Sequence, residues 1–187
     1  ITYLYASASS NKWNDRLTIY DGRNISYDMI GNPLSDGVRT FKWEKGRQLS
    51  ELTQNGVTWE YTYDANGLRT KKTNKATKES CEYIYSGGQL RYMSDGWYSM
   101  VFEYDANGFP QAVICNDTRY FYITNLQGDV IAIIDEYGCQ VAEYEYDAWG
   151  NLISWDFDSD TITQYKDIGL YNPLRYRGYV YDRETNL

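Results

Sequence analysis

A seven-residue pattern that recurs along the chain constrains the fold more strongly than any other feature. Residues 61–67 (YTYDANG) return almost unchanged at 102–108 (FEYDANG) and at 144–150 (YEYDAWG). Weaker copies of the pattern lie at residues 26–31, 41–46, 83–88 and 179–182. The spacing between copies varies around roughly twenty residues, the length that two short strands and their turns require. The chain is therefore expected to repeat a two-stranded unit.

Each copy carries the residues of a tight chain reversal. Asp64 stands where a type I turn takes a side-chain acceptor, and Gly67 supplies the positive φ with which the chain re-enters a strand. Residues 125–128 (NLQG) and 135–138 (DEYG) place the same residue types at the same offsets, without the tyrosine. The structural repeat motif predicted in this way consists of Tyr63, Asp64, Gly67, Tyr104, Asp105, Gly108, Tyr146, Asp147, Gly150, Tyr181 and Asp182.

A second kind of turn signal lies between these copies, at residues 36–37 (DG), 55–56 (NG), 95–96 (DG) and 116–117 (ND). Such pairs between strand-like runs indicate a type I′ hairpin, because both central positions of that turn need positive φ. Alternation of the two turn types predicts an all-β fold, a continuous antiparallel meander of hairpins that forms a curved strip. No segment keeps apolar residues at the spacing that a helix needs.

The predicted strands have two different faces. In residues 57–64 the odd-numbered side chains are apolar or aromatic, and the even-numbered ones are polar or acidic. Glu60 or Asp64 is expected to pair with the basic return strand that begins at Arg69, each pair contributing on the order of 0.2 to 1 kcal/mol. Residues 130–134 (VIAII) are apolar on both sides, so we expect another layer to cover the sheet there.

Composition excludes several classes of function. The net charge is −8, with 18 Lys and Arg against 26 Asp and Glu, which argues against binding to nucleic acid. The most basic stretch, residues 69–78, is interpreted as a solvated strand. Histidine is absent, which removes the usual general base and the commonest metal ligand. The cysteines are odd in number and widely spaced, so Cys81, Cys115 and Cys139 are interpreted as small buried hydrophobes.

Two further clusters allow a catalytic or binding interpretation. A glycosidase needs two facing carboxylates, but Asp156, Asp158 and Asp160 are explained as a solvated acidic loop. The glycine and distal glutamate of a calcium loop are missing there. Residues 86–88 (SGG) are expected at a hairpin turn rather than at a phosphate. We predict no catalytic residue, no metal, no cofactor and, since no apolar run could span a bilayer, no membrane insertion.

The motifs in order along the chain resemble one family. Residues 63–69 (YDANGLR) resemble the signature of YD repeats, the units of bacterial Rhs and wall-associated proteins, of the B and C components of insecticidal toxin complexes and of animal teneurins. Residues 120–130 (YFYITNLQGDV), 135–138 and 145–151 (EYDAWGN) resemble the end region of an Rhs core. Residues 172–185 (NPLRYRGYVYDRET) are similar to the last strands before that family's closing plug.

The resemblance covers essentially the whole chain and implies a domain organisation. Residues 1–187 would be a single YD-repeat region, with repeats in 1–115 and the core-associated end region in 116–187. Because the strand pattern is already running at Ile1, the chain is expected to be a fragment of a larger protein. One departure is Asn186, where the family has glycine; asparagine tolerates the left-handed conformation, so we expect the turn to be kept.

The family implies a hollow β-shell, which in bacterial members encloses a variable C-terminal toxin and frees it at an aspartyl self-cleavage site. That site lies beyond the plug, so no residue of this chain is assigned to it. The expected function is a non-enzymatic scaffold whose partners are the rest of the shell and its C-terminal effector. The parent is expected to be secreted or at the surface of a bacterium. Unpaired strand edges predict self-association of the fragment.

Two other functions stay open at this level. Tyrosine accounts for 21 residues, and its amphipathic ring suits a wall with two working faces. Exposed aromatic rows could bind carbohydrate or a partner protein, which would make the chain a cell-surface adhesin. A polysaccharide hydrolase is the third hypothesis. Binding that depends on exposed tyrosines would support the second, and sugar release that depends on two carboxylates would support the third.

Overall fold

The structure is a computed structural model that describes residues 2–6, 16–157 and 168–185. It confirms the all-β antiparallel meander, and the chain divides into two compact units, Ile1–Glu82 and Tyr83–Leu187. The strands of the described residues are β1 (Tyr3–Tyr5), β2 (Leu17–Tyr20), β3 (Arg23–Asn24), β4 (Ser26–Tyr27), β5 (Pro33–Ser35), β6 (Arg39–Glu44), β7 (Gln48–Gln54), β8 (Val57–Tyr63), β9 (Arg69–Asn74), β10 (Ser80–Ser86), β11 (Gln89–Ser94), β12 (Ser99–Tyr104), β13 (Pro110–Cys115), β14 (Thr118–Thr124), β15 (Val130–Ile134), β16 (Gln140–Tyr146) and β17 (Leu152–Phe157).

The first unit holds a small sheet, β1-β2-β3, and the strands β4 to β9, which follow one another in sequence order in a long sheet. Its apolar face is built from cross-strand partners, with Leu52 between Phe41 and Trp59 and fully buried. The opposite face is polar, since Thr53 pairs there with Thr58 and their hydroxyls are 2.8 Å apart. The period of two in the sequence therefore separates the faces as expected.

The second unit continues in the same order from β11 to β17. Its core consists of two cross-strand rows, one with Val113 between Phe102 and Tyr120 and the other with Ile133 between Tyr122 and Ala142. These side chains are all at most 7% exposed. The aromatic face of the strands is thus the interior of this unit.

The cysteines only partly match their interpretation as small buried hydrophobes. Cys81 and Cys115 are buried in the sheet, whereas Cys139 is exposed. Cys139 directly follows the turn at residues 135–138, and because its side chain is exposed there the interpretation is wrong for this residue.

At two of the four predicted hairpin turns the observed geometry differs from the expected type I′. Residues 55–56 and 116–117 have positive φ at both positions, as a type I′ turn requires. At residues 36–37 and 95–96 only the glycine has positive φ. The N–H of Asp36 bonds the Arg39 carbonyl at 3.2 Å, so the glycine is the first of two central residues, the arrangement of a type II′ turn.

The two turn types also alternate less regularly than predicted. Residues 125–128, 135–138 and 147–150 are three successive turns of the Asp/Asn-x-x-Gly kind, with no two-residue hairpin between them. A side-chain acceptor at the first position and a glycine at the last can reverse the chain at both edges of the sheet. Strict alternation of the two turn types is therefore not needed.

The C-terminal segment differs from the expected final strands. Within residues 172–185 the only strand-like pairing is a single bridge between Leu174 and Val180, followed by no ladder, and Tyr176–Gly178 forms a 3₁₀ turn. Residues 168–171 are helical, although no helix was expected. Pro173 has no backbone N–H to donate to a ladder, and hydrogen bonds from the sheet to this segment take the place of regular strand pairing. Asp158, Asp160 and Asn186 lie outside the described residues.

This segment covers the aromatic face of the second unit. The Tyr122 hydroxyl donates to Asn172 Oδ1 at 2.7 Å, and the Tyr144 hydroxyl donates to the Gly169 carbonyl at 2.6 Å. The N–H of Val130 donates to the Arg175 carbonyl at 3.0 Å. The layer expected over β15 is therefore present. No helix within the described part of the chain has the length and apolar character to cross a membrane.

Candidate functional site: the tyrosine-aspartate turn

The repeated turn is closed by its first side chain. Asp105 Oδ1 accepts the backbone N–H of Asn107 at 2.8 Å and that of Phe109 at 2.9 Å. The Gly108 N–H donates to the Asp105 carbonyl at 3.1 Å, and the Asp105 N–H donates to the Phe109 carbonyl at 2.9 Å. One carboxylate oxygen thus satisfies the two N–H groups that the reversal leaves without a ladder partner.

The same four hydrogen bonds recur with the same offsets in both units. In the first unit Asp64 Oδ1 accepts from Asn66 and Leu68, and in the second Asp147 Oδ1 accepts from Trp149 and Asn151. Three turns outside the best copies of the motif have the same arrangement, and they begin at Asp28, Asn125 and Asp135. The turn is therefore a repeated hydrogen-bonded module.

In the three best copies of the motif, the tyrosine before the aspartate bonds across the sheet. The hydroxyl of Tyr63 donates to the Leu49 carbonyl at 2.9 Å, that of Tyr104 to Leu90 at 2.8 Å, and that of Tyr146 to Val130 at 2.8 Å. Each acceptor is at or beside the start of the preceding strand. We call this bond the tyrosine clasp. It ties the end of one strand to the beginning of its neighbour, next to the turn.

Burial affects the titration of the clasp hydroxyls. Desolvation raises the pKa of Tyr104 to about 12, with the Arg91 guanidinium opposing the effect. Desolvation likewise raises the pKa of Tyr146. Both hydroxyls therefore keep their protons at neutral pH and act as hydrogen-bond donors.

The glycine that ends the turn meets different surroundings in different copies. Gly108 and Gly150 have φ of 88° and 86°, a conformation that L side chains rarely adopt. The ring of Tyr176 lies over Gly150 so closely that a Cβ there would be 2.5 Å from a ring carbon. Glycine is thus required at position 150 for two reasons, backbone conformation and the approach of the C-terminal segment.

The last predicted copy of the motif has a different environment. Tyr181 is not at the end of a strand; the Arg175 guanidinium lies 4.3 Å from its ring centroid. Asp182 is buried, and its carbonyl accepts the N–H of Thr185 at 3.1 Å. This is the bond that Gly108 makes to the Asp105 carbonyl, and Asn186, the residue after Thr185, lies outside the described residues.

A buried polar network in the C-terminal segment was not found by sequence reasoning. Arg175 is 3% exposed, lies between the rings of Tyr144 and Tyr181 at 4.9 and 4.3 Å, and donates to the Asn172 and Leu170 carbonyls. An arginine stacked on aromatic faces needs no carboxylate partner to be buried. The spacing of residues in the sequence gives no signal for this stacked arginine, because Tyr144 is distant in sequence and Tyr181 lies on an irregular segment.

Acidic side chains on the outer face of the first unit form ion pairs. Lys75 bonds Glu51 at 2.9 Å and Glu60 at 3.2 Å, and Lys42 bonds Glu51 at 2.7 Å. Hydrogen bonds from Lys42 and Lys75 lower the pKa of Glu51. The expected pairing of Glu60 with the basic segment is present, whereas Asp64 serves the turn instead.

Part of the aromatic face is buried. Tyr61, Tyr83, Phe102, Tyr120 and Tyr144 are each at most 7% exposed. These rings are therefore interior, whereas Val57, on the same face of β8 as Tyr61, is 40% exposed. Among the described residues, no group of three or more Cys, Asp and Glu side chains is placed to hold a metal ion.

An all-β meander in which an aspartate or asparagine closes a repeated four-residue turn, and a tyrosine clasps the best copies of that turn, defines the class of tyrosine-aspartate repeat scaffolds. The chain belongs to the teneurin YD-shell family, whose model matches residues 11–187. The family predicted from the motifs is thereby confirmed.

Relatives and solved structures agree with this assignment. The chain is 36% identical over 97% of its length to the tRNA nuclease WapA of Bacillus subtilis strain 168, and equally to the tRNA3(Ser)-specific nuclease WapA of Bacillus spizizenii. It spans 8% of the length of each of these relatives. The same fold is found in TcdB2-TccC3 (TM-score 0.50, 16% identity) and in a Photorhabdus luminescens Tc holotoxin pore (TM-score 0.51, 16% identity), over 91% and 90% of this chain and 8% of each of those chains.

Proposed function

We propose that this chain is a segment of a YD-repeat shell, a non-enzymatic wall that encloses or presents a polypeptide located towards the C-terminus of the same longer protein. Its partners would be the rest of the shell and that C-terminal effector. The longer protein would be secreted by a bacterium or held at its surface. Membership in the YD-shell family supports a structural shell role.

The repeated turn is the observation that carries the proposal. Six turns use the same side-chain oxygen for the same two backbone N–H groups, and the first residue is an aspartate in five of them. Carboxylates that are engaged in this way stabilise the chain reversal and are not arranged as a facing pair for acid–base chemistry. A module that only closes turns is what an extended wall needs in each repeat.

The names of the WapA relatives raise the question whether this chain has nuclease activity. Those proteins are named as tRNA nucleases, and the part that matches this chain is 8% of their length. We assign nuclease activity in such proteins to regions outside the matching part. The net charge of −8 and the lack of histidine in this chain support that division.

Protection from protease tests the enclosure. The longer protein and its C-terminal region alone are each treated with the same trypsin series, and fragments are identified by mass spectrometry. We expect the C-terminal region to resist digestion within the longer protein at trypsin concentrations that degrade it alone. Equal digestion rates in the two contexts would overturn the enclosure.

A matched pair of glycine variants links protection to the wall. Gly150→Ala places a methyl group against the Tyr176 ring, whereas Gly138→Ala has open space around the new Cβ at nearly the same φ. Protection should be reduced in the first variant and kept in the second. Incubation of the 187-residue chain with tRNA tests the non-enzymatic assignment separately, since cleavage by this chain alone would contradict it.

A further inference from the structure

Three Asn-Gly pairs lie in turns of this chain, at residues 55–56, 66–67 and 107–108. All six residues are exposed to solvent. An Asn-Gly pair can modify itself, because glycine has no Cβ to keep its backbone nitrogen away from the preceding side-chain amide. Since exposure does not separate the three pairs, a difference in their reactivity has to come from hydrogen bonding and backbone conformation.

Two of the pairs lie inside the repeated turn. The Gly108 N–H donates to the Asp105 carbonyl at 3.1 Å, and the Asn107 N–H donates to Asp105 Oδ1 at 2.8 Å. The earlier pair, residues 66–67, makes the same two bonds to Asp64, at 3.2 and 2.9 Å. In both turns the glycine nitrogen is a bound donor, so hydrogen bonds must break before it can approach the asparagine side chain.

The pair at residues 55–56 is held differently. It forms the loop of the two-residue hairpin between β7 and β8, in which Gln54 and Val57 are the last paired residues. Within the described part of the chain, neither the Asn55 side chain nor the Gly56 N–H has a hydrogen-bond partner. The space around Gly56 is open as well. This loop can therefore change its backbone conformation without breaking a hydrogen bond of its own.

We propose that Asn55 is a site of spontaneous deamidation through a succinimide. The Gly56 backbone nitrogen loses its proton to hydroxide and forms a bond to Asn55 Cγ. The Cγ–Nδ2 bond then breaks, and the leaving nitrogen takes a proton from water to become ammonia. Water adds to one of the two ring carbonyl carbons and opens the ring to aspartate or isoaspartate. The net reaction consumes one water and releases one ammonia, so it needs neither an enzyme nor an oxidant.

The isoaspartate product changes the hairpin. Its main chain runs through the former side-chain carbon, which inserts one methylene, about 1.5 Å, into a loop of two residues. A two-residue loop fixes the register of the strands that it joins, so the pairing of Gln54 with Val57 weakens. The β7–β8 hairpin therefore loses stability as the protein ages, whereas the turns closed by an aspartate keep theirs. This inference does not depend on the proposed shell function.

Peptide mapping of the intact 187-residue chain tests the proposal. The folded chain is incubated in water enriched in ¹⁸O at neutral and mildly alkaline pH, and its peptides are separated and identified by mass spectrometry. We expect labelled aspartate and isoaspartate at position 55, formed faster as the pH rises. The rate there should exceed those at positions 66 and 107 by at least about fivefold, the factor to which one net hydrogen bond corresponds. Equal rates at the three positions, or no label at position 55, would overturn the proposal.

The chain unfolded in urea is the reference for the three rates. The pairs share their reacting residues, so their rates should converge once the turns are lost, and the rates at positions 66 and 107 should rise most. A difference between the pairs that persists unchanged in urea would show that local sequence, and not the folded turn, sets the reactivity, and it would contradict the argument.

Two variants separate the contributions. Asp105→Ala removes the side-chain acceptor of the turn and should raise the rate at Asn107 while leaving that at Asn55 unchanged. An Asn107 rate that stays low, with the fold intact by circular dichroism, would contradict the role of the turn bonds. Asn55→Gln should not react at position 55, because its ring would have six members and closes far more slowly. Aged wild-type chain should unfold at lower urea than fresh chain, and aged Asn55→Gln should match its fresh sample. Equal effects of age on both would show that deamidation at Asn55 does not loosen the hairpin.

Discussion

An asparagine can replace the aspartate of a repeat turn, because the turn uses one side-chain oxygen for both of its N–H acceptor bonds. Asn125 already does this: its Oδ1 accepts from Gln127 and Asp129, each at 3.0 Å. The aspartate differs in its charge and in its second oxygen, which in Asp147 accepts the side-chain N–H of Asn151 at 2.7 Å. Charge therefore makes the turn sensitive to pH without being needed for its geometry.

The first residue-scale prediction concerns this pH sensitivity at Asp147. The side-chain amide of Asn151 and, against the opposing effect of desolvation, backbone N–H groups lower the pKa of the Asp147 carboxyl below its ordinary value of 3.8. A depressed pKa stabilises the fold above the unfolded-state value, and the stabilisation is lost as pH falls from there through the folded-state value. Asp147→Asn keeps the oxygen that accepts the two backbone N–H groups but loses the acceptor of the Asn151 amide, so it should be modestly less stable than the wild type at pH 7 and show a flatter decline below about pH 4.

Urea unfolding between pH 7 and pH 2 measures this difference. Asp147→Ala is the comparison variant, because it removes the acceptor as well as the charge and should be less stable than Asp147→Asn at every pH. Identical pH profiles for the wild type and Asp147→Asn would contradict the assignment of the lowered pKa.

The tyrosine clasp predicts a second residue-scale effect. Tyr104→Phe keeps the ring and removes the hydroxyl that bonds the Leu90 carbonyl at 2.8 Å. The free energy of unfolding should fall by about 1 kcal/mol, the usual net value of one hydrogen bond. Tyr179→Phe is the control, since Tyr179 is 70% exposed and its loss of a hydroxyl should cost little. Equal stability of the two variants in urea would show that the clasp contributes nothing.

At the scale of elements, the turn and the C-terminal segment depend on each other. The Tyr176 ring lies over Gly150, and the Tyr176 hydroxyl donates to the Ala148 carbonyl at 3.3 Å. In the same way the Phe109 ring lies over Gly128, where a Cβ would be 2.7 Å from a ring carbon. Glycines that end turns thus double as docking surfaces for aromatic rings from neighbouring turns.

Two alanine substitutions separate these roles. Gly138→Ala adds a methyl group in open space at a φ of 84°, so its cost is backbone strain, about 1 kcal/mol. Gly150→Ala meets the same strain and must also displace the Tyr176 ring, so it should cost more than Gly138→Ala by at least about 1 kcal/mol. Thermal and urea unfolding measure both. A Gly150→Ala cost no greater than that of Gly138→Ala would mean that the segment does not pack there in solution.

Much of the element level follows from local sequence, and the exceptions have physical causes. Asp64 and Gly67 mark a turn because the side-chain acceptor and the positive φ act within four residues. The predicted type I′ turn at residues 36–37 is wrong. Whether Asp36 is inside or before the two-residue loop depends on strand register, which the dipeptide does not specify. Residues 172–185 do not form the expected strands, because the Arg175 carbonyl and the Asn172 side chain accept bonds from Val130 and Tyr122, which are distant in sequence.

At the scale of the whole molecule, strands that pair in sequence order leave the first and the last strand of a sheet with one neighbour each. β17 pairs with β16 and is the last strand in the order of the described residues. Among the described strands none lies on the outer side of β17, and the backbone N–H and C=O groups of such a six-residue edge strand favour pairing with another chain. The side chain of Ile153 in this strand is 61% exposed and adds apolar surface.

The 187-residue chain should therefore self-associate as its concentration rises, with an apparent mass by static light scattering that exceeds 21.9 kDa. Ile153→Lys should reduce the association, because a charge on an edge strand opposes pairing with a second chain. Met29→Lys is the matched control, since Met29 is fully exposed at a turn and not on this edge. If the wild type stays monomeric at high concentration, β17 is not an open edge in solution; if both variants reduce association equally, the general increase in positive charge is the cause rather than the edge.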